Sequence, residues 1–508
     1  AYHMTIFGTQ PTLTQVPPSG LYSTTAALTP YSAARCACAS PPLPPPITNK
    51  LNPCATDKTP EASNLHNAHN HCRCANMRRL NPLLDTSSLP RFGDIRPHHV
   101  LPAVEQLIRD HREKINALLD DQNDRSFESL VVPVELMEHE LARVWSPVTH
   151  LQSVLGSRDW RDAYNQALPL LTEHGTEISQ NAKLQSAYAD VEASLNAGTC
   201  EAQRSAVEHA LREFRLAGVD LPEAEKDRFK EIMQMLAAAE ADFEHNIQDA
   251  TDAWSLHIKD IEALSGVPKQ AMDRAAENAQ GKQLDGWLWT LDYPSFESIM
   301  THAHNRRLRE QFYRAWSTRG SDQGASAEWD NSENIAAILT LRHEAANLIG
   351  FDSYAEYSLA TKMAESGDEV LNFLRELSAR SRNAAEQELS DLEEFADMTL
   401  QPWDMTFWLE KYKQARYSVS NEELRQYFPA RTVIDGLFAL VGRLYGVELI
   451  ELNDVATWHE DARYFAVRND ADEAIGGFYI DIYARSGKRN GAWIDECISR
   501  QDLNGKAE

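Results

Sequence analysis

From about residue 96 onward, apolar side chains return at helical rather than strand spacing. Val207, Ala210, Leu211 and Phe214 fall at i, i+3, i+4 and i+7, one face of a helix. Ile335, Ile338 and Leu339 open a second stripe that runs to Leu348 and Ile349. Gly350 stands where a helix C′ residue is expected. Ser366-Gly367-Asp368-Glu369 has the capping-box pattern, followed by Val370, Phe373, Leu374 and Leu377. A long charged helix over 369–396 suits the outer wall of a large α protein, its acidic face in solvent. Strand signals are few and late: 463–467 and 477–483 carry the aromatic and β-branched content, with a turn over Ser486–Gly491. The pattern predicts a mostly α protein with a small β-sheet late in the chain.

At 508 residues the chain exceeds one typical core, so two or more lobes are expected. The net charge of −27 argues against non-specific nucleic-acid binding, which needs clustered Lys and Arg, and is read as a solvated acidic surface. No apolar run approaches the ~20 residues of a membrane helix, so no membrane partner is expected. Five of the seven cysteines lie before residue 79, leaving Cys200 and Cys497 in the body. Two scattered thiols are no disulfide framework, and the body reads as a reducing-compartment, cytoplasmic protein.

Residues 1–78 differ from the rest. They hold 11 of the 23 prolines and only two acidic residues, Asp57 and Glu61. Without sustained periodicity they read as a disordered Pro/Cys-rich leader. Three accounts compete for it. An organellar transit segment is opposed by its prolines. A metal-binding tail would use His66, His69, His71, Cys72 and Cys74, in a spacing that fits no standard zinc module. The favoured account is upstream sequence translated in error, with Met77 as the natural start.

Catalytic motifs are missing. No Gly-x-Ser-x-Gly and no Walker-type phosphate loop occurs. No His-Glu-x-x-His occurs in the 508 residues. The half-motifs His139-Glu140, His343-Glu344 and His459-Glu460 are followed by Arg143, Asn347 and Arg463 where a second His is needed. His302 and His304 splay to different helix faces. Cys200 and Cys497 are nucleophiles only beside an oriented His; a buried or incidental thiol is the default.

Four blocks nevertheless form a pattern. The first runs from Thr290-Leu291-Asp292-Tyr293-Pro294 through Arg307-Leu308-Arg309-Glu310 to Trp316 and Arg319. The second spans Asp330-Asn331-Ser332, Leu341-Arg342, Leu348-Ile349-Gly350-Phe351 and Lys362-Met363-Ala364. The third is Pro402-Trp403-Asp404 with Tyr427-Phe428-Pro429. The fourth is Trp458-His459, then Gly477-Phe478-Tyr479-Ile480-Asp481-Ile482-Tyr483-Ala484-Arg485, then Lys488 to Trp493. Together they resemble the thimet oligopeptidase (M3) family of zinc metallopeptidases. Asn81-Pro82-Leu83-Leu84 and Phe214-Arg215-Leu216-Ala217-Gly218 resemble its bacterial oligopeptidase A branch.

The resemblance implies a two-lobed helical metallopeptidase fold that cuts internal bonds of short peptides, with zinc as cofactor. A monomer is expected. In full-length relatives a later helix carries His-Glu-x-x-His, so this chain is expected to stop before the zinc site. It would then hold neither zinc ligands nor catalytic residues, and be inactive alone. The implied division is 79–290 as an N-terminal helical domain and 291–508 as the first, incomplete part of the catalytic domain. Candidate substrate-cleft residues are Tyr479, Gly491, Ala492 and Trp493, where backbone at Gly491 and Ala492 can pair with a peptide as an added strand. The competing reading is that Gly491 merely permits a turn and Trp493 merely packs. The alternative function is a non-catalytic helical peptide-binding module. The family's Tyr-Tyr pair after Pro-Trp-Asp is Phe407-Trp408 here, which favours core aromatics.

Overall fold

Spacing of apolar residues does translate into helices. The computed structural model describes residues 81–120, 125–196, 198–500, 502–503 and 506–507. The leader, with its His/Cys cluster, lies outside the described residues. The helices are α1 (Val100–Asp120), α2 (Val132–Leu155), α3 (Arg158–Ser179), α4 (Ala182–Ser194), α5 (Glu201–Leu216) and α6 (Glu223–Ala253). Strand β1 (Ser255–Ile258), α7 (Lys269–Gly281) and β2 (Trp287–Thr290) follow. Then come α8 (Tyr293–His302), α9 (Arg306–Ser317), α10 (Ser332–Leu348), α11 (Tyr354–Leu359), α12 (Gly367–Ala396), α13 (Pro402–Tyr417), α14 (Asn421–Arg425) and α15 (Ala430–Tyr445). The antiparallel sheet β3 (Glu448–Leu452), β4 (Arg463–Arg468) and β5 (Ala474–Ile480) comes late, in the order β3-β4-β5. The fold is mostly helical with a small late antiparallel sheet, as expected.

The chain forms two compact units, with the boundary inside α6. One comprises 81–152, Arg158–Lys230 and the last residues from Asp495. In it, Val207, Leu211 and Phe214 of α5 are buried with Leu184 and Tyr188 of α4, and Phe214 meets Tyr188 edge-on at 5.5 Å. Asn181 caps α4, its side chain accepting from the Lys183 and Leu184 amides. Between α1 and α3, His111 and His174 are both buried, with ring nitrogens 3.4 Å apart.

The other unit comprises Ser153–Ser157 and Glu231–Ile494. Its core is Trp289 of β2, Leu291, Ile299 and Met300 of α8, and Leu308 and Phe312 of α9. Strands β1 and β2 pair antiparallel with Leu256 opposite Trp289. This sheet was not among the expected strands: two four-residue runs are too short to show a period of two. At the end of α10 the Phe351 amide donates to Ala346 O at 2.9 Å and the Gly350 amide to Asn347 O at 3.1 Å. That is a Schellman ending, and the φ of +88° at Gly350 is why glycine stands there. Ser366 caps α12, accepting from the Glu369 amide, while the Glu369 carboxylate reaches back to the Glu365 amide.

Asp404, in the first turn of α13, is fully buried. Arg306 donates to it through Nε (3.0 Å) and Nη2 (2.7 Å), and Arg309 through Nη2 (2.9 Å). Arg309 also donates to Ala303 O at the end of α8 and to Trp403 O, and stacks on Phe407 at 4.2 Å. One carboxylate thus joins α8, α9 and α13. Burial pushes the Asp404 carboxyl up, but the two guanidiniums and the Gln401 amide outweigh it and hold it below the usual range.

Helices α12 and α15 differ from this pattern. Leu371, Phe373, Leu374 and Leu377 of α12 are exposed, and only Leu392 is buried there. Val433, Leu437, Leu440 and Leu444 of α15, at i, i+4, i+7 and i+11, are exposed as well. The charged face of α12 is solvated as expected, but so is its apolar stripe.

Candidate functional site

Strand β5 sets the register of the fourth motif. It pairs with β4 so that Tyr479 faces Tyr464 and Phe478 faces Phe465. Gly477 must lack a side chain, since a Cβ there would lie 2.0 Å from the Tyr464 hydroxyl. The half-buried Tyr479 packs its ring at 4.8 Å from Tyr464 and 5.1 Å from Trp458. Among the described residues no strand pairs with the outer edge of β5.

After β5 the chain folds around a single carboxylate. Asp481 accepts from Trp458 Nε1, Arg485 Nη1 and Nη2, and Lys488 Nζ, all at 2.8 Å. Lys488 Nζ also donates to the backbone oxygens of Asp481 (2.8 Å) and Tyr483 (2.9 Å). Burial pushes the Asp481 carboxyl up, but Arg485, Lys488 and Trp458 overcome it and hold it far below the usual carboxylate range. The turn at Ser486 and Gly487 then rests on Ser153–Ser157. The Arg489 amide donates to Ser153 O at 2.8 Å, and a Cβ on Gly156 would fall 2.2 Å from Gly487 O.

This places each candidate residue. Gly491 is exposed with φ +97°, a conformation that strains any other residue, and the space a Cβ would enter is open. Ala492 is exposed. Trp493 is half-buried beneath two cations, Arg489 at 4.6 Å and Lys488 at 5.8 Å from its ring. From Tyr479 to Trp493 the contacts run through Trp458, Asp481 and Lys488. Sequence reasoning passed over Asp481, Arg485 and Lys488 as chemistry. One acidic residue followed by two basic ones, at four- and three-residue spacing, was the one signal present.

The half-motif residues make local contacts instead. Glu140 pairs with Lys114 at 2.8 Å, His343 Nε2 meets the Asn347 amide at 2.9 Å, and His459 Nδ1 accepts from the Asp461 amide. Among the described residues no group of three or more His, Cys, Asp or Glu side chains converges to hold a metal ion. Those residues do not fit a zinc site. Phe407 and Trp408 pack edge-on at 5.4 Å, with Phe407 buried. Among the described residues no helix is long and apolar enough to cross a membrane.

Comparison with known proteins adds the following. The profile described as "Peptidase family M3" matches residues 299–507, and that of "Neurolysin/Thimet oligopeptidase, N-terminal domain" matches 104–226. The chain is 43% identical to Oligopeptidase A of Escherichia coli over 427 residues, 83% of this chain and 63% of that protein. Against Oligopeptidase A of Haemophilus influenzae it is 43% identical, covering 85% of this chain and 64% of the relative. A plant protein of Arabidopsis thaliana, "Organellar oligopeptidase A, chloroplastic/mitochondrial", is 33% identical over 83% of this chain and 54% of its own length. The chain therefore spans a little under two thirds of the length of its two bacterial relatives.

Proposed function

This chain belongs to the peptidase M3 family, and on that premise we propose that it supplies the peptide-holding part of a zinc-dependent oligopeptidase acting on internal bonds of short peptides. In that activity a zinc ion would supply Lewis-acid chemistry. The described residues bring no ligand set for it together. The chain on its own holds peptide without cutting it.

The observation that carries this reading is the segment after β5. Gly491 and Ala492 are exposed beside the half-buried Trp493. An extended peptide gains affinity from main-chain hydrogen bonds to such a segment. Tyr479, packed against Tyr464 and Trp458, completes the set of candidate cleft residues. In this reading 79–290 is the N-terminal helical domain and 291–508 the first part of the peptidase domain. The cytoplasm is the expected compartment.

The test is to mix the purified chain with zinc and a quenched-fluorescent short peptide. Saturable binding without turnover is expected. Robust cleavage would overturn the reading of the isolated chain as inactive. No binding at any protein concentration would overturn its peptide-holding role.

A further inference from the structure

We propose that Asp481 is a positioning residue that sets the conformation of residues 486–493 and thereby presents Gly491 and Ala492 to a peptide. The inference rests on the peptide-holding reading of that segment. Asp481 touches no proposed peptide position itself; its effect passes through the chain it organises.

Three observations carry it. First, the carboxylate takes four hydrogen bonds from three side chains, and it is nearly buried, with 8% side-chain exposure. Arg485 and Lys488 lie four and seven residues on, in a stretch that forms a turn rather than a helix. Without the anion, two cations would face each other in a half-dry site, and the charge that draws both toward the start of the loop would be gone. Second, Lys488 is used twice. Its ammonium binds the carboxylate and also two main-chain oxygens, at Asp481 and Tyr483. The side chain therefore ties the start of the loop to its end. Third, the loop so formed has one place to rest. Arg485 reaches Val154 O at 3.4 Å, the Arg489 amide binds Ser153 O, and Gly487 lies against Gly156. Two glycines at the contact allow backbone to meet backbone. The Trp493 ring then sits beneath Lys488 and Arg489, which fixes the direction in which the chain leaves Gly491.

A residue that only stabilised the fold would act on the whole unit. A positioning residue acts on one segment and on what that segment binds. The test uses the full chain and its Asp481→Asn and Lys488→Met variants. The Lys488 variant leaves Asp481 paired with Arg485 and Trp458, so it keeps the test open should Asp481→Asn not fold. Two quantities are read: affinity for a short fluorescein-labelled peptide of alanine and lysine, and hydrogen exchange resolved along the chain. In each variant that folds, peptide affinity is expected to fall about tenfold, and amides of 486–493 to exchange about tenfold faster while those of β3 and β4 keep their rates. Unchanged affinity in a wild-type chain that binds, or exchange that rises evenly through the unit, overturns the proposal. If the wild-type chain binds no peptide at all, the peptide-holding reading falls, and the exchange pattern alone decides whether Asp481 organises the segment.

Discussion

Asp404→Ala is expected to lower the stability of the unit containing α8, α9 and α13 by about 3–5 kcal/mol, the usual cost of removing one partner from a buried ion pair. The reason lies in what is left behind. Arg309 is 2% exposed and cannot turn to water, so its guanidinium would stay buried with one carboxylate bond gone. Arg306 is about half exposed and can swing out, so Arg306→Ala is expected to cost only about 1 kcal/mol. The Gln401 amide, which donates to Asp404 at 3.1 Å, would lose its acceptor as well. Denaturant unfolding followed by tryptophan fluorescence, with Trp289 and Trp403 inside this unit, reads both variants. A chain of two compact units need not unfold in one step, so the midpoint of the transition reporting this unit is compared. Equal midpoints for Asp404→Ala and wild type would show that Arg309 is not held by Asp404.

Acid is expected to destabilise the unit built on α1 and α3 through its buried histidine pair. Burial, with His174 alongside, pushes His111 down to about 4, and burial pushes His174 down to about 4 also. Unfolded, both titrate near 6.5. Between those two values the unfolded chain binds more protons than the folded one, so stability rises with pH across the window. The stabilisation is complete above about 6.5 and is lost as pH falls toward 4, where the folded imidazoles begin to protonate. The first proton alone is worth about 3 kcal/mol, and the second meets a charged neighbour 3.4 Å away. Glu135, pushed up to about 7 by burial, acts in the opposite sense. The measurement is therefore a difference: wild type against a His111→Leu, His174→Leu double variant, with urea midpoints taken from neutral to acid pH. The double variant is expected to lose less stability on acidification. Parallel curves would remove the pair as the source.

How much of this could be read in advance depends on the range of the interaction. The helix at 201–216 and the ending at Gly350 are local events, set by apolar spacing and by one glycine, and both were legible. Two strands of the late sheet, β4 and β5, were legible from their aromatic content, whereas β3, five residues without an aromatic, was not. β1 and β2 were not, because each is four residues long and stability comes from the partner strand and the Trp289–Phe312 core. Arg309 and Asp404 each stood inside a recognised motif, but the pairing spans 95 residues and spacing says nothing about it. Gly491 and Trp493 were among the four candidates picked out, with Tyr479 and Ala492. The anion that shapes the chain before them was overlooked, since an acidic residue in an acidic sequence carries little information. The stripe at 370–377 was legible as an amphipathic face, yet periodicity cannot say whether a face has found a partner, and the stripe at 433–444 was not singled out.

Those two stripes give the chain a colloidal character set by salt. Molecules carrying a net charge of −27 repel one another over a screening distance of about 30 Å at 0.01 M ionic strength and about 8 Å at 0.15 M. At the longer distance the charge cloud keeps α12 and α15 of neighbouring molecules apart. At the shorter one, apolar side chains such as Leu374 and Leu440 come within reach of each other before repulsion is felt. Association of this polypeptide with itself is then governed by ionic strength as much as by concentration. Light scattering through a salt titration would trace it, with a scattering intensity independent of salt as the contrary result.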